Sequence, residues 1–556
     1  MPYCFKPLSS LEKCFIDEDI HAHPATDRFV MFHNQRLAFQ IAIAHTADEE
    51  HCPISFSVSL EGELAPHISV REVLQIPSLY ATCAENLDDN YLRTAPGFYP
   101  DALRPLHYQG KMKVPAGQLR SIWLEVTLPE DFPAGNYQTE ISFTSIKDQP
   151  LGKVNVTVCV LDARLPRQRL IHTEWFYTDC IAEANHVKPF SEKHWKFVEN
   201  YLRVAVNNGI NMILTPVFTP ELDTYIGGER LTTQLVSITV PEKDRYEFDF
   251  SQLDRWIDLC HSVGVEYFEI PHFFTQWGAQ HAPKFVARVG GRTRRIFGWE
   301  TDSLGAEYEC FLSQFIPALL DFLKSKGVDR KCFFHVSDEP KLEVIEHYKK
   351  CRNLITRYLG EDYPIIDALS NLDFYTEGIL KKPIPGIPHI KPFLEANIQG
   401  LWAYYCEPRG SVTTTGRLFA MPTARTRVLG LQLWLANAEG FLHWGYNFYH
   451  NPNSYDFVHP LAESNGEIFG PSGDAFLVYP DHNGDALESI RLCAIREAMD
   501  DMRALDLVAD LRGRDYVESL IRSLWGGKLP DFFDYPKNAD FFLALREKLA
   551  EEAARG

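Results

Sequence analysis

The sequence lacks the segments that would carry a chain into or across a membrane. It contains no run of about 18 apolar residues, which excludes a transmembrane helix. Residues 1–6 do not show a basic segment followed by an apolar one, so they predict no secretion signal. We therefore expect a cytoplasmic protein with no membrane partner.

Paired cysteines, phosphate-binding loops and internal repeats are also missing. The 12 cysteines are scattered without a CxxC pair, which predicts free thiols in a reducing compartment and no zinc site. No glycine-rich phosphate loop is present, and no repeat of roughly 20–50 residues indicates a solenoid or propeller. We predict neither a metal nor a cofactor.

Positive charge is scarce. The chain has 55 Lys and Arg against 75 Asp and Glu, a formal net charge of −20, and this acidity argues against a nucleic-acid partner. Aromatic residues are abundant, at 13%, and at strand ends they make apolar platforms for the faces of sugars. The length of 556 residues predicts two or three domains.

Residues 1–165 have the pattern of an all-β domain. Short apolar segments separated by turn residues predict a β-sandwich, with strands at 29–32, 37–43, 54–60, 68–76, 121–128, 137–143 and 154–160. Segment 97–105 is aromatic and proline-rich, so we interpret it as a rigid loop, which either packs on the surface or docks against the next domain. Residues 165–170 are the predicted linker.

From residue 166 to 510, strands and helices alternate, which is typical of a parallel sheet. Eight βα units predict a (β/α)8 TIM-like barrel, with strands at 170–176, 210–217, 265–274, 332–336, 364–369, 387–390, 401–405 and 440–446. Within this region we also predict a β-hairpin at 236–250, a helix at 251–263 that stops at Gly264, and a closing helix at 486–505. Residues 511–556 form a predicted helical extension. The expected fold class is therefore multidomain, β followed by α/β, with a short helical tail.

Two adjacent carboxylates follow the fourth predicted barrel strand. Asp338 and Glu339 come directly before Pro340, which ends the strand, and residues 341–359 have a helical pattern. This corner falls on the C-terminal rim of a barrel, where active sites lie. Such a pair can perform acid/base chemistry on an acetal, provided that the backbone turns enough for both to face one ligand. The alternative is that the carboxylates cap the following helix.

Other predicted strand ends supply aromatic and polar side chains, a combination that suits a sugar. Each aromatic residue could instead fill the barrel interior, and each histidine could be a satisfied core residue. The candidate substrate-binding residues are His172, Glu174, Trp175, His272, Trp277, Trp402, Tyr404, Tyr405, Trp444, Tyr446 and Asn447.

Several segments together resemble glycoside hydrolase family 123, the β-N-acetylgalactosaminidases, and the wider group with domain of unknown function 4091. They are GFYPDALRP at 97–105, SDEP at 337–340, GFLHWGYN at 440–447, GDAFLVYP at 473–480 and SIRL at 489–492. The adjacent acidic residues are the most specific of these features. The resemblance spans most of the chain and implies the same order of sandwich and barrel.

The resemblance implies a retaining exo-hydrolase that removes terminal β-linked N-acetylgalactosamine (GalNAc) by substrate-assisted catalysis. Glu339 would be the general acid/base, and Asp338 would orient the 2-acetamido group whose carbonyl oxygen attacks the anomeric carbon. We expect ionised Asp338 to raise the pKa of its neighbour, so that Glu339 holds the proton. Without a secretion signal, imported oligosaccharides from glycolipids or glycoproteins are the expected substrates.

Two alternatives remain open at this point. A glycosidase of other specificity would use a second protein carboxylate, Glu174 or Glu269, about 5–5.5 Å from Glu339. A non-catalytic carbohydrate-binding protein would bind sugar without turnover. The sequence makes no prediction of the oligomeric state.

Overall fold

The structure is a computed structural model that describes residues 3–46, 54–82, 90–106, 111–406, 414–467 and 470–555. It has a β-rich N-terminal part, followed by a curled parallel sheet surrounded by helices. None of the helices within these ranges is both long and apolar enough to cross a bilayer.

In the described part of the chain, two five-stranded sheets form the N-terminal region, with strand orders β1-β3-β8-β5-β6 and β2-β10-β9-β4-β7. Their facing side chains, among them Phe39, Ile122, Phe143 and Val156, share one apolar core, as expected of a β-sandwich. The strands are β1 (Tyr3–Ser9), β2 (Arg28–His33), β3 (Arg36–His45), β4 (Ile54–Glu61), β5 (Ile68–Ser78), β6 (Gly97–Pro105), β7 (Lys111–Val114), β8 (Leu119–Thr127), β9 (Gly135–Ser145) and β10 (Pro150–Arg164).

Strand β6 corrects one prediction, because segment 97–105 is not a loop. It pairs antiparallel with β5, and its prolines lie at the edge of the sheet, where a missing N–H is tolerated. Ala102 forms a bridge with Ser489, and the Asp101 carboxylate binds the Arg491 guanidinium at 2.8–2.9 Å. The strand therefore docks the N-terminal sheets against the rest of the chain.

The second part is built from β11 (Ile171–Glu174), β12 (Met212–Leu214), β13 (Ser237–Val240), β14 (Glu247–Asp249), β15 (Tyr267–His272), β16 (Phe285–Val289), β17 (Arg292–Phe297), β18 (Cys332–His335), β19 (Ile366–Ala368), β20 (Lys382–Ile384), β21 (Trp402–Tyr404), β22 (Gly440–His443), β23 (Tyr479–Pro480) and β24 (Ala486–Leu487). Its helices, with those of the tail, are α1 (Thr178–Ala184), α2 (Glu192–Asn207), α3 (Ser251–Val263), α4 (Ala306–Ser325), α5 (Ile345–Leu359), α6 (Asp373–Thr376), α7 (Lys391–Glu395), α8 (Thr423–Leu435), α9 (Ile490–Arg512), α10 (Arg514–Leu524) and α11 (Ala539–Ala554).

The central sheet is parallel and curled. Six strands pair in the order β18-β15-β12-β11-β22-β21, and β19 pairs with β20. Two single parallel bridges link β19 and β20 to the outer strands of the six-stranded sheet. Phe334 of β18 pairs with Ile365, and Tyr404 of β21 pairs with Gly386. All eight strands therefore run in one direction, and their carboxyl ends lie on one side.

Two predicted segments differ from the structure. Residues 387–390 are not the sixth strand, since Ile387–His389 is a 3-10 turn that contains Pro388, and the strand is β20. The closing helix begins at Ile490 and not at 486, because the Ser489 hydroxyl caps it by accepting a hydrogen bond from the Leu492 N–H. The predicted hairpin between 236 and 250 is present as β13 and β14.

A buried ionic network joins strands β3, β5 and β8 to helix α9 and to Glu488, which precedes the helix. Glu125 accepts hydrogen bonds from Arg36, Arg71 and Arg496, and Glu488 accepts from the same Arg36 and Arg71. Both carboxylates are almost completely buried. Burial of these charges is tolerated only when all of them are present, because burying any one of them alone would cost several kcal/mol of desolvation free energy.

We predict that Glu125→Gln lowers the free energy of unfolding by about 3–5 kcal/mol, since it leaves buried guanidinium groups without their partner. Urea denaturation measures this loss. Glu140→Gln is the matched control, because its partner Lys153 is exposed and such surface pairs contribute little. Equal stability of the two variants would contradict the prediction.

Candidate active site

The acidic pair lies at a corner that is held from two sides. After β18, the Ser337 hydroxyl donates to the Thr275 carbonyl at 2.8 Å, and the Asp338 carbonyl accepts from the Trp277 N–H at 2.9 Å. On the other side, the Glu339 N–H donates to the Ala368 carbonyl at 3.1 Å. The loops that follow β15 and β19 therefore fix the backbone of both acidic residues.

The backbone turns sharply at this corner. Glu339 has a φ of 42°, in the left-handed region that residues with a Cβ rarely adopt, and Trp277 opposite it has a φ of 61°. Such conformations are costly and concentrate at functional sites. The turn changes the direction of the chain between Asp338 and Glu339, as convergence on one ligand requires.

Neither carboxylate caps the following helix. A 3-10 turn, Leu342–Val344, precedes α5, and its N-cap residue is Lys341. The N-cap of α5 itself is Val344, and within the described part of the chain no side chain caps either element. The capping alternative therefore has no hydrogen bond to support it.

The two carboxyl groups have different surroundings. Tyr404, at the end of β21, donates its hydroxyl to Glu339 Oε1 at 2.5 Å. Burial and the Glu339 carboxylate keep the pKa of Tyr404 well above 10, so this hydroxyl stays protonated and acts as a donor. Burial likewise raises the pKa of Asp338 well above 3.8, and the carboxylates of Glu339 and Asp367 raise it further.

The sequence-based expectation places the proton on Glu339 and requires an ionised Asp338, but the surroundings of Asp338 oppose that form. Asp338 is surrounded by three other carboxylates, those of Glu339, Asp367 and Asp223, and all of them disfavour its ionised form. In the free site, these surroundings favour the protonated form of Asp338. Both residues are half-buried, so solvent reaches the corner.

Below the pair, a charged histidine bridges two buried carboxylates. His335 Nε2 lies 2.7 Å from Glu269 Oε1, and His335 Nδ1 lies 3.0 Å from Asp367 Oδ1. Burial works against the imidazolium, but the bonds to Asp367 and Glu269 outweigh it and raise the pKa of His335 to about 9. The Tyr348 hydroxyl and the Val336 N–H also donate to Asp367. This array fixes the floor of the site.

His272 is next to this array, with its Nε2 3.8 Å from Asp367 Oδ1. Among the residues that the structure describes, neither ring nitrogen of His272 has a hydrogen-bond partner. It is 6% exposed, its ring centroid lies 4.2 Å from that of His335 at an interplanar angle of 33°, and it makes an edge contact with Trp175 at 5.5 Å. Burial and then the charge of His335 lower the pKa of His272 well below 6.5, so its imidazole is neutral. A buried polar ring without partners is available to a ligand hydroxyl.

Asp223 is an acidic residue at this rim that the sequence interpretation missed. It follows β12, and its Oδ2 accepts from the Asn453 N–H at 2.9 Å. Burial raises the pKa of Asp223 to about 6, although the Asn453 N–H opposes this shift. No motif surrounds Asp223 in the sequence, so only its location near Asp338 distinguishes it.

Several predicted site residues are buried with structural partners. Glu174 is completely buried and pairs with Arg417 at 2.8 Å; although burial opposes ionisation, Arg417 lowers the pKa of Glu174 to about 2. His172 contacts the same carboxylate at 3.3 Å. Tyr446 donates to the Tyr201 carbonyl.

Three other predicted residues are also buried, and a fourth, Trp444, is half-buried. Asn447 holds the backbone of Tyr177 through two hydrogen bonds of 2.8 and 2.9 Å, and Trp402, at the first position of β21, is completely buried. Tyr405 is buried against Phe441 and His443. Trp444 is half-buried and stacks on His443.

The structure thus brings together four of the predicted residues around the corner. Asp338, Glu339 and Tyr404 are linked directly or through the chain, and Trp277 contacts Asp338 through its backbone N–H. The Trp277 side chain is 49% exposed. A half-exposed pair of carboxyls with one raised pKa is an arrangement suited to proton transfer.

A family model for the catalytic domain of glycoside hydrolase 123 matches residues 175–508, which include this corner. The chain belongs to glycoside hydrolase family 123. It is a glycoside hydrolase, and its substrate is a glycan. The resemblance found in the sequence is confirmed.

The fold of the chain is similar to that of a solved structure. The chain superposes with a TM-score of 0.72 on a family 123 glycoside hydrolase from Clostridium perfringens, studied for glycolipid glycan hydrolysis, at 16% identity and with 100% and 98% of the two chains covered. A β-glucuronidase from Parabacteroides merdae matches at a TM-score of 0.30 and 10% identity, covering 91% of this chain and 52% of that one. A search of curated proteins found no match.

Proposed function

We propose that this family 123 hydrolase is a retaining exo-β-N-acetylgalactosaminidase that works by substrate-assisted catalysis. The observation that supports it is the left-handed turn that presents Asp338 and Glu339 side by side, with Tyr404 bonded to Glu339. We also propose that the eight parallel strands form a (β/α)8 barrel with this corner on its C-terminal rim, since single bridges link its two sheets.

In this mechanism the substrate decides where the proton of the pair lies. When the acetamido N–H donates a hydrogen bond to Asp338, the ionised form of Asp338 is favoured, and the proton passes to Glu339. Glu339 then protonates the glycosidic oxygen as its bond to C1 breaks. The acetamido carbonyl oxygen attacks C1 from the opposite face, and Asp338 stabilises the oxazolinium ion.

The second half returns the proton. Glu339, now ionised, takes a proton from a water molecule, which attacks C1 on the face that the leaving group had occupied. The C1–oxygen bond of the oxazolinium breaks, and the acetamido group is restored. The product keeps the anomeric configuration of the substrate, because C1 is inverted twice.

The burial of the other candidate nucleophiles supports this choice over a two-carboxylate mechanism. Glu174 is completely enclosed and bound by Arg417, and Glu269 is completely enclosed and accepts from Thr173, Trp175 and His335. A nucleophile must reach the anomeric carbon, and a carboxylate with these partners cannot do so without losing them.

For substrate binding, we propose His272 and Trp277, with Trp175 and Trp444 as supporting aromatic surfaces. His272 offers one ring nitrogen as donor and the other as acceptor, which suits a sugar hydroxyl. Trp277 offers an exposed aromatic face next to Asp338. These four residues form the proposed pocket for the terminal sugar.

The specificity is tested with three aryl glycosides that differ only in the sugar. We expect hydrolysis of the β-GalNAc glycoside, weaker hydrolysis of the β-GlcNAc glycoside and none of the β-galactoside, which lacks the acetamido group. Faster cleavage of the β-galactoside would contradict the substrate-assisted mechanism. Faster cleavage of the β-GlcNAc glycoside would contradict the specificity alone.

Tyr404→Phe is predicted to lower kcat/KM by about tenfold or more, because it removes a hydrogen bond to a charged group. The alkaline limb of the pH profile should move to higher pH, since the Tyr404 hydroxyl stabilises ionised Glu339. Tyr446→Phe is the control, because its hydroxyl bonds a backbone carbonyl elsewhere. An unchanged pH profile in Tyr404→Phe would contradict this positioning role.

A further inference from the structure

Two rim loops are joined next to the acidic pair. The Asn453 N–H donates to Asp223 Oδ2 at 2.9 Å, the Ser454 hydroxyl donates to the Asp223 carbonyl at 2.6 Å, and the Tyr225 N–H donates to the Asn453 carbonyl at 3.0 Å. Asp223, Asn453 and Ser454 all have left-handed φ values, of 49°, 60° and 53°. Three left-handed residues in one junction cost conformational free energy, and such strain concentrates at functional sites.

The junction supports an exposed aromatic pair. The rings of Tyr225 and Tyr455 stack at 4.4 Å with an interplanar angle of 10°, and we call them the tyrosine platform. Tyr225 is 37% exposed and Tyr455 is 61% exposed. Stacking orients the rings rigidly but leaves aromatic surface in water, as expected of a surface that receives a ligand.

The tyrosine platform is connected to the catalytic corner. The Gln276 side chain accepts from the Asp223 N–H at 2.5 Å and donates to the Thr224 carbonyl at 3.3 Å. The next residue, Trp277, donates its N–H to the Asp338 carbonyl. Asp223 is also close enough to Asp338 to disfavour its ionisation. A ligand on the platform would therefore lie beside the bond that is cleaved.

We propose that Tyr225, Tyr455 and Asp223 are the residues that hold the leaving-group hexose of the substrate. The platform would stack on the C–H face of that hexose, and the Asp223 carboxylate would accept from its hydroxyls. This subsite rests on the proposed function, because it is defined by the bond that the acidic pair cleaves.

The test compares a substrate with a leaving-group sugar and one without. Tyr455→Ala should lower kcat/KM about tenfold for a disaccharide of GalNAc β-linked to galactose, because it removes one stacked ring. For N-acetyl-β-galactosaminyl fluoride, which leaves the subsite empty, kcat/KM should stay within about twofold. Tyr455→Phe keeps the ring and should preserve both values.

Tyr516→Ala removes an exposed tyrosine of similar accessibility on α10 and should change neither substrate. Equal losses for the disaccharide and the fluoride in Tyr455→Ala, or no loss for either, would overturn the subsite alone. A larger loss for octyl β-GalNAc than for the disaccharide would assign the platform to an apolar leaving group instead of a sugar. Failure of the unmodified enzyme to hydrolyse the disaccharide and the fluoride would overturn the proposed function, and the subsite with it.

Discussion

Glu339→Gln is expected to lower kcat/KM for a GalNAc-β-galactose disaccharide by about 10²–10⁴-fold, the range of general acid/base catalysis. The amide cannot protonate the glycosidic oxygen, and it cannot take a proton from water in the second half of the reaction. The loss should be much smaller for the fluoride or a dinitrophenyl glycoside, because these leaving groups need no proton. Steady-state kinetics with the three substrates measures this difference.

Two further observations make the assignment specific to Glu339. Azide should restore turnover of the dinitrophenyl substrate and yield the β-configured glycosyl azide, since an anionic nucleophile needs no general base. Glu343→Gln, an exposed residue four positions along the chain, is the matched control and should keep full activity. A loss in Glu339→Gln that does not depend on the leaving group would contradict the acid role.

Asp338→Asn is expected to lower kcat/KM by about 10²–10³-fold, since a charged group that stabilises the oxazolinium ion is lost. The amide would also weaken the binding of a thiazoline, which resembles this ion. Replacing the acetamido group of the substrate with a trifluoroacetamido group should slow the unmodified enzyme, because the carbonyl oxygen becomes a poorer nucleophile. A covalent enzyme adduct formed with a 2-fluoro sugar would instead support a protein nucleophile.

The raised pKa of Asp338 makes both activity and stability depend on pH, and it determines the direction of each change. Catalysis needs the ionised form, so kcat/KM should fall as the pH decreases through this raised value, above the ordinary 3.8 of aspartate. Stability changes in the opposite direction, because the folded state binds this proton more tightly than the unfolded state. Asp338→Asn should therefore stabilise the fold at neutral pH, and the gain should disappear below about pH 3.8, where both states are protonated.

Thermal unfolding of Asp338→Asn and the unmodified enzyme across the pH range measures this effect. The activity profile of Asp338→Asn should also lose the acidic limb. Asp373→Asn is the comparison: this residue begins α6, and its N–H donates to Asn371 Oδ1. A destabilised Asp338→Asn at neutral pH would contradict the assigned direction.

Elements with strong local signals were predictable from the sequence. Helix α3 has the predicted bounds, because its apolar spacing ends at Gly264, which adopts a φ of 100°. Strand β18 and the acidic corner were recognised because two adjacent carboxylates follow an apolar segment. Segments with prolines were harder, as β6 and the turn at 387–389 show, since proline is compatible with an edge strand, a loop or a turn.

The surroundings of the acidic pair were less predictable for a different reason. His335 ends β18, Asp367 lies within β19 and Asp223 lies in the segment after β12, and each is a single polar residue without a local pattern. Their roles follow from distances across the sheet, such as the 3.0 Å between His335 and Asp367. Likewise, nothing in the sequence distinguishes Glu174, which pairs with Arg417, from a residue that contacts substrate.

The contacts of β6 and β8 with helix α9 have a consequence for protein engineering. The family match starts at residue 175, which invites expression of that region by itself. Such a fragment would retain Arg491 and Arg496 but would have lost Asp101 and Glu125, the counter-charges that neutralise them. Truncation at that position should give an insoluble product, and chimeras with other sugar-cleaving enzymes should exchange both halves together.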